Sequence, residues 1–78
     1  MAQERIITAD WDDEAHVWVA TSDDVPGLAT EATTFESLLD KLRTMVPELL
    51  ELNGALPESR DVPYRVVAQR HENVHATE

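Results

Sequence analysis

The spacing of hydrophobic residues changes along the chain and predicts three strands, a helix and a last strand. Side chains alternate between two faces over residues 5–11, with Ile7, Ala9 and Trp11 on one face, as is typical of a β-strand. Residues 16–21 are rich in β-branched and aromatic side chains and predict a second strand. Because only a short polar segment separates the two, they should form an antiparallel hairpin.

Residues 22–27 predict a turn. Pro26 fixes its own φ, and Gly27 can adopt the positive φ that a type II turn requires. A short third strand is predicted over residues 28–32, after which the hydrophobic period changes.

The longest amphipathic segment predicts a helix packed on the sheet. Its apolar residues recur at helical spacing, and they are Phe35, Leu38, Leu39, Leu42, Val46, Leu49 and Leu50. Thr33 and Glu36 match a capping box at the start, and Asn53 followed by Gly54 predicts the end. Pro47 lies inside this helix and removes one hydrogen bond, so we expect a kink near Thr44 or two stacked pieces.

After the helix, residues 63–70 predict a last strand with Pro63 at its start. Residues 71–78 have few apolar side chains and are expected to be a frayed tail. The predicted fold is α+β, a two-layer βββαβ domain. An antiparallel three-stranded meander plus a last strand carries one long amphipathic helix. We expect a single domain over residues 1–78, with an ordered core of about residues 4–70.

The charge of the chain narrows the classes of partner. The formal net charge is −10, with 16 acidic and 6 basic residues, and residues 6–40 contain no Lys or Arg. Such a surface repels nucleic acids and anionic membranes, and it attracts basic proteins; it can also simply keep a small domain in solution. With no apolar run of membrane-spanning length and no secretory signal, a cytoplasmic location is expected.

Catalytic and metal-binding patterns are weak. Asp10, Asp12 and Asp13 lie around the first hairpin, but aspartate is also common in turns. His71 and His75 have a metal-binding spacing only if they are helical, and they lie in the predicted tail. The chain has no cysteine and no Gly-x-Ser-x-Gly or glycine-rich phosphate motif. We therefore expect no enzymatic activity, no metal and no cofactor.

Trp18 is the most informative aromatic residue. By alternation it shares a face of the second strand with His16 and Ala20, while Val17 and Val19 occupy the other. Either face could meet the helix, so the sequence leaves open whether Trp18 is core or a contact surface.

Two segments carry a resemblance to a known family. Residues 18–38 contain an aromatic residue, a Pro-Gly turn, a short strand and a Thr-containing entry to an amphipathic helix. This order resembles the core of HicB-like antitoxins. Residues 11–20 read Trp-Asp-x-Glu-Ala-x-Val-Trp-x-Ala and residues 46–50 read Val-Pro-Glu-Leu-Leu. Both are similar to a small bacterial family of domains of unknown function related to HicB.

The resemblance implies a partial ribonuclease-H-like fold that binds and blocks a small basic RNA-cleaving toxin. The turn departs from the commoner Pro-Asp-Leu by having Asp23, Asp24 and Val25. The chain is too short for the DNA-binding domain that many HicB proteins carry, so direct nucleic-acid binding is not expected. We predict Trp18, Asp23, Asp24 and Glu31 as contacts with a basic partner.

Two alternatives remain open. One is a small metal-dependent nuclease of ribonuclease-H-like descent, with a metal at Asp10 and either Asp12 or Asp13. The other is a homo-oligomeric structural domain. It is suggested by the small core and an open sheet edge, and a homodimer is also compatible with the antitoxin hypothesis.

Overall fold

A computed structural model describes residues 4–77 and contains four strands and one helix. The elements are β1 (Arg5–Asp12), β2 (Val17–Thr21), β3 (Ala29–Ala32), α1 (Phe35–Leu52) and β4 (Tyr64–Gln69). The predicted α+β class, with one helix on a sheet, is confirmed.

The four strands form a mixed sheet in the order β3-β2-β1-β4. β2 is antiparallel to both β1 and β3, whereas β4 is parallel to β1. The prediction of an antiparallel meander plus an unplaced last strand is therefore only partly correct. The parallel pairing arises because the chain crosses the sheet through α1 before it enters β4, and a parallel neighbour requires such a long connection.

The strand register defines a helix-facing side of the sheet. Ala9 pairs with Ala20, and Ile7 pairs with Val66, so these residues share one face. The buried core combines this face with α1 and with the turn before β3, and its members are Ile7, Ala9, Ala20, Val25, Leu28, Ala32, Leu38, Leu42, Val46 and Leu50. The Pro-Gly turn thus contributes to the core, because Val25 and Leu28 on either side of it are buried.

The helix begins one residue later than the predicted capping box. Thr34 is the N-cap in extended conformation, and its side chain accepts a hydrogen bond from the Ser37 backbone N–H at 3.1 Å. The predicted pair of Thr33 and Glu36 is therefore wrong, since the N-cap is Thr34 and the N–H that its side chain accepts from is that of Ser37, not of Glu36. At the other end the C-cap is Asn53, and Gly54 has a φ of 68°.

The helix is a single segment of 18 residues that continues through Pro47. The prediction offered a kink near Thr44 or two stacked pieces, and the second of these alternatives is wrong. Leu42 and Val46 precede the proline, Leu50 follows it, and all three are fully buried. Burial on both sides of Pro47 offsets the one backbone hydrogen bond that proline cannot donate.

Among the elements of residues 4–77, no helix lies over the second side of the sheet. This side, called here the open face, carries Ile6, Val17, Val19, Glu31 and Val67 among others. Ile6 and Val67 are 36% and 40% exposed.

Beyond β4, residues 70–77 lie in no helix or strand, and all are exposed. This segment is called here the C-terminal arm. The molecule measures 60 × 23 × 19 Å. Within residues 4–77, no helix combines the length and the apolar character that crossing a bilayer requires.

Candidate protein-binding site

Four aromatic rings contact one another in a row at the hairpin end of the sheet. The ring centroids of Trp11 and Trp18 lie 5.5 Å apart. His16 lies 6.2 Å from Trp11, and Phe35 lies 5.4 Å from Trp18. Every contact is edge-to-face, the arrangement that the ring quadrupoles favour. We call these four residues the aromatic ladder.

The ladder follows from the register of the first hairpin. Trp11 and Trp18 pair directly across β1 and β2 on the helix-facing side. Phe35 is the first residue of α1, which the Thr34 cap starts beside Trp18. The helix then runs away from this end, so neither tryptophan is fully covered. Trp18 is therefore partly core and partly surface, which resolves the alternative that the sequence left open.

Trp11 also contacts two polar side chains. The Arg70 guanidinium lies 4.3 Å from the centroid of its ring, within the range of a cation–π interaction. The indole Nε1–H donates a hydrogen bond to Asp13 Oδ1 at 3.2 Å. Arg70 Nε donates to Glu72 Oε2 at 2.8 Å. The ring is thus held in place with one face against a cation.

The hairpin loop beside the ladder is acidic and tightly bonded. Asp12 Oδ1 accepts hydrogen bonds from the backbone N–H groups of Glu14 and Ala15, at 3.0 and 3.1 Å. The backbone oxygen of Asp12 accepts from His16, whose φ of 56° completes the turn. Asp12, Asp13 and Glu14 are all exposed. We call these three residues the acidic loop; Asp13 lies against Trp11 of the ladder, whereas the Asp12 carboxylate bonds within the loop.

The predicted contact residues do not lie together. Trp18 is on the helix-facing side, whereas Glu31 pairs with Val19 on the open face. Asp23 and Asp24 follow the other end of β2. Since a strand rises about 3.3 Å per residue, the three residues of β2 after Trp18 alone separate it from that turn by about 10 Å.

Asp24 has a structural role. Its Oδ2 accepts a hydrogen bond from the Ile6 backbone N–H at 2.8 Å, and its backbone oxygen accepts from the Arg5 guanidinium at 2.7 Å. Ser22 donates to the Ile6 backbone oxygen at 2.6 Å from the same turn. Asp24 therefore ties the turn to the start of β1, while Asp23 is an exposed charge.

The candidate metal ligands are separated or used elsewhere. Asp10 and Asp12 point to the open face of β1, but the Asp12 carboxylate accepts the two loop N–H groups and Asp13 accepts from Trp11. His71 and His75 lie outside any helix. Across residues 4–77, no three His, Asp or Glu side chains are grouped as a metal ion would require.

Sequence reasoning did not assign His16, Phe35 and Arg70 to a site. One signal could have located the ladder. Trp11 lies three residues before Glu14 and Trp18 lies three residues after Ala15, so a hairpin centred between Glu14 and Ala15 places the two tryptophans opposite each other. No pattern in the sequence brings Arg70 to Trp11, because that contact depends on the parallel pairing of β4 with β1.

Comparisons with known proteins cover almost the whole chain. A crystal structure of a hypothetical protein from the extremely thermophilic bacterium Thermus thermophilus is 49% identical, with a TM-score of 0.71. The match covers 95% of this chain and 100% of that chain. No curated protein matches. Residues 4–76 match the family described as Domain of unknown function (DUF1902), and the chain therefore belongs to that family.

Proposed function

We propose that this chain is a non-catalytic protein-binding module, similar in role to the toxin-neutralising core of a HicB-type antitoxin, and that it binds a small basic protein. The observation that carries this proposal is the aromatic ladder beside the acidic loop. Together they put an apolar anchor and exposed carboxylates at the same end of the sheet, with Asp13 in direct contact with the anchor.

The ladder has the composition of an interface hot spot. Tryptophan is among the residues that most often dominate binding energy when a partner covers them. Trp11 and Trp18 are already oriented by each other, by Phe35 and by Asp13. Because these contacts restrict both tryptophan side chains before binding, their ordering on binding costs little additional side-chain entropy.

The charge distribution favours a basic partner. The chain carries a net charge of −10, and the segment from Ile6 to Asp40 has no Lys or Arg. The acidic loop adds three exposed carboxylates at the hairpin end, and that of Asp13 lies against the anchor. Such a field accelerates encounter with a positively charged protein and disfavours nucleic acid, whose phosphates would be repelled.

Arg70 indicates how a partner's cation can contact the ladder. Its guanidinium lies over the Trp11 ring, with the Glu72 carboxylate bonded to Nε. An arginine from a basic protein can contact the remaining ladder surface in the same way, with the acidic loop as its counter-charge.

Within this proposal the four predicted contact residues have different roles. Trp18 is part of the anchor. Asp23 and Glu31 are exposed charges at the periphery that steer the partner. Asp24 acts through the fold, since its carboxylate and backbone oxygen hold the start of β1.

The test is affinity purification of the tagged full chain from its native host, followed by calorimetry with the recovered protein. We expect a small basic protein, and if it cleaves RNA, this chain should inhibit the cleavage. Glu14→Lys in the acidic loop should weaken binding. Glu51→Lys makes the same charge change at the far end of α1, where Glu51 is also exposed, and should have a much smaller effect.

Equal effects of the two substitutions would show that only net charge matters and would remove the acidic loop from the proposal. Recovery of no basic protein, together with no gene for one nearby, would remove the antitoxin-like role.

A further inference from the structure

The outer edge of β4 is the longest unpaired strand edge of the sheet. β4 has six residues and pairs only with β1 among the strands of residues 4–77. The opposite edge is β3, which has four residues and includes Glu31. An unpaired edge presents backbone N–H and C=O groups that can bond a further strand.

The β4 edge is also the part of this acidic chain where two copies can approach with least repulsion. Residues 60–70 contain three of the six basic residues, Arg60, Arg65 and Arg70, and one acidic residue. Arg65 is paired with Glu4 at 2.7 Å, and Arg70 with Glu72 at 2.8 Å. The edge is therefore close to neutral, whereas the carboxylates of the acidic loop belong to the connection between β1 and β2.

The isolated chain exposes more surface than a compact monomer of its size. Its accessible surface is 5837 Å², whereas a compact monomer of 8.8 kDa exposes about 4,800 Å². The radius of gyration is 15.0 Å, against about 11.5 Å for a compact domain of this length. The excess is about 1,000 Å² per chain, or about 2,000 Å² for two chains. This lies within the range of about 1,200–2,000 Å² that a stable dimer buries in total.

We propose that two copies of this chain pair antiparallel through β4, around a two-fold axis at Val67, to form one continuous eight-stranded sheet. An axis perpendicular to the sheet requires the centre of the pairing to fall on a residue, because opposite residues must point to the same face. Centring on Arg65 would oppose two like charges. Centring on Val66 would oppose Arg65 to Val67.

Centring on Val67 gives favourable neighbours throughout β4. Val67, which is 40% exposed in the single chain, faces its own copy. Arg65 faces Gln69 of the second copy, and Val66 faces Ala68. No like charges are opposed. This register also directs the C-terminal arm toward the segment that precedes β4 in the second copy.

Sedimentation equilibrium of the full chain tests the proposal. The wild-type chain should have twice the mass of 8.8 kDa. Val67→Lys places two charges together at the axis and should reduce the mass to that of one chain. Val19→Lys makes the same change on the open face of β2, away from the edge, and should leave the dimer intact. Circular dichroism verifies that both variants are folded.

A single cysteine provides a second readout, because the chain has none of its own. Val67→Cys should form a disulfide-linked dimer on mild oxidation, whereas Val19→Cys should not. A wild-type monomer at all concentrations, or a dimer that survives Val67→Lys, would overturn the proposal. Loss of the dimer in Val19→Lys would replace edge pairing with stacking of open faces. None of these measurements involves the basic partner, so the proposed function stands or falls separately.

Discussion

At the scale of single residues, Trp11 and Trp18 close the hydrophobic core at one end and also expose part of their rings. Trp18 packs against Phe35 and the buried residues, while Trp11 lies between Arg70 and Asp13. Removing either ring would therefore change both folding and binding. Charge changes in the acidic loop separate the two effects better, since those side chains are exposed.

Thr34→Ala should destabilise the domain by about 1 kcal/mol, because the Ser37 N–H loses its side-chain acceptor. For a chain of this length the melting temperature should fall by roughly 4–8 °C. Differential scanning calorimetry measures this shift. Thr33→Ala is the matched control and should leave the melting temperature nearly unchanged, since Thr33 is exposed and precedes the cap. A larger effect at Thr33 would contradict the assigned cap.

The same two threonines show where residue-level prediction from the sequence ends. Adjacent Thr33 and Thr34 are chemically equivalent candidates, and only the backbone conformation selects the second. The face of Trp18 could not be predicted for a related reason. Val17 and Val19 make the opposite face of β2 apolar as well, and both valines are half-buried without a helix over them.

At the scale of elements, the helix is the feature that the sequence predicts best. Its apolar stripe spans five turns, and the buried residues Leu38, Leu42, Val46 and Leu50 all belong to it. The pairing of β4 was not predictable in the same way. Its sequence predicts a strand, but the neighbour and direction of β4 depend on where the chain leaves α1 and returns to the sheet. The aromatic ladder depends on this pairing for its Arg70 contact, so the site was only partly foreseeable.

Leu42→Ala should reduce the free energy of unfolding by about 2–5 kcal/mol, because Leu42 is fully buried between α1 and the sheet. In a small domain this is a large part of the total stability. Urea denaturation measures the change. Leu52→Ala, at a position 83% exposed on the same helix, should change stability by less than about 0.5 kcal/mol. Similar losses at the two positions would mean that the helix packs through a different face.

Pro47→Ala should stabilise the domain by up to about 3 kcal/mol, because alanine restores an N–H inside α1 and has a far higher helix propensity. The urea midpoint should rise with an unchanged slope. Pro57→Ala is the control; Pro57 lies between α1 and β4, so alanine has no helical bond to restore there. An unchanged or lower midpoint for Pro47→Ala would indicate that the proline is favourable in its packing.

At the scale of the whole molecule, charge and shape divide the domain into two surfaces. The hairpin end carries the aromatic ladder and the acidic loop, where we propose that a basic protein binds. The β4 edge is nearly neutral, and there we propose that a second copy pairs. The two surfaces adjoin at Arg70, which follows β4 and lies over Trp11. A dimer formed through the outer edge of β4 would present two copies of the ladder to partners.

Binding of a basic partner should slow as salt is raised, since encounter is steered by the negative field. The association rate, measured by stopped flow, should fall with ionic strength, whereas the dissociation rate should change much less. Glu14→Lys should reduce this dependence more than Glu51→Lys. A rate that is insensitive to salt would show that the acidity serves solubility alone.

The most direct test of the central claim is the intrinsic fluorescence of this chain during titration with the basic protein recovered from its host. Both tryptophans of the chain lie in the aromatic ladder, so their emission reports on that surface. The account predicts that the emission maximum shifts to shorter wavelength and saturates at the stoichiometry found by calorimetry. Saturable binding that leaves the emission of both tryptophans unchanged would contradict it.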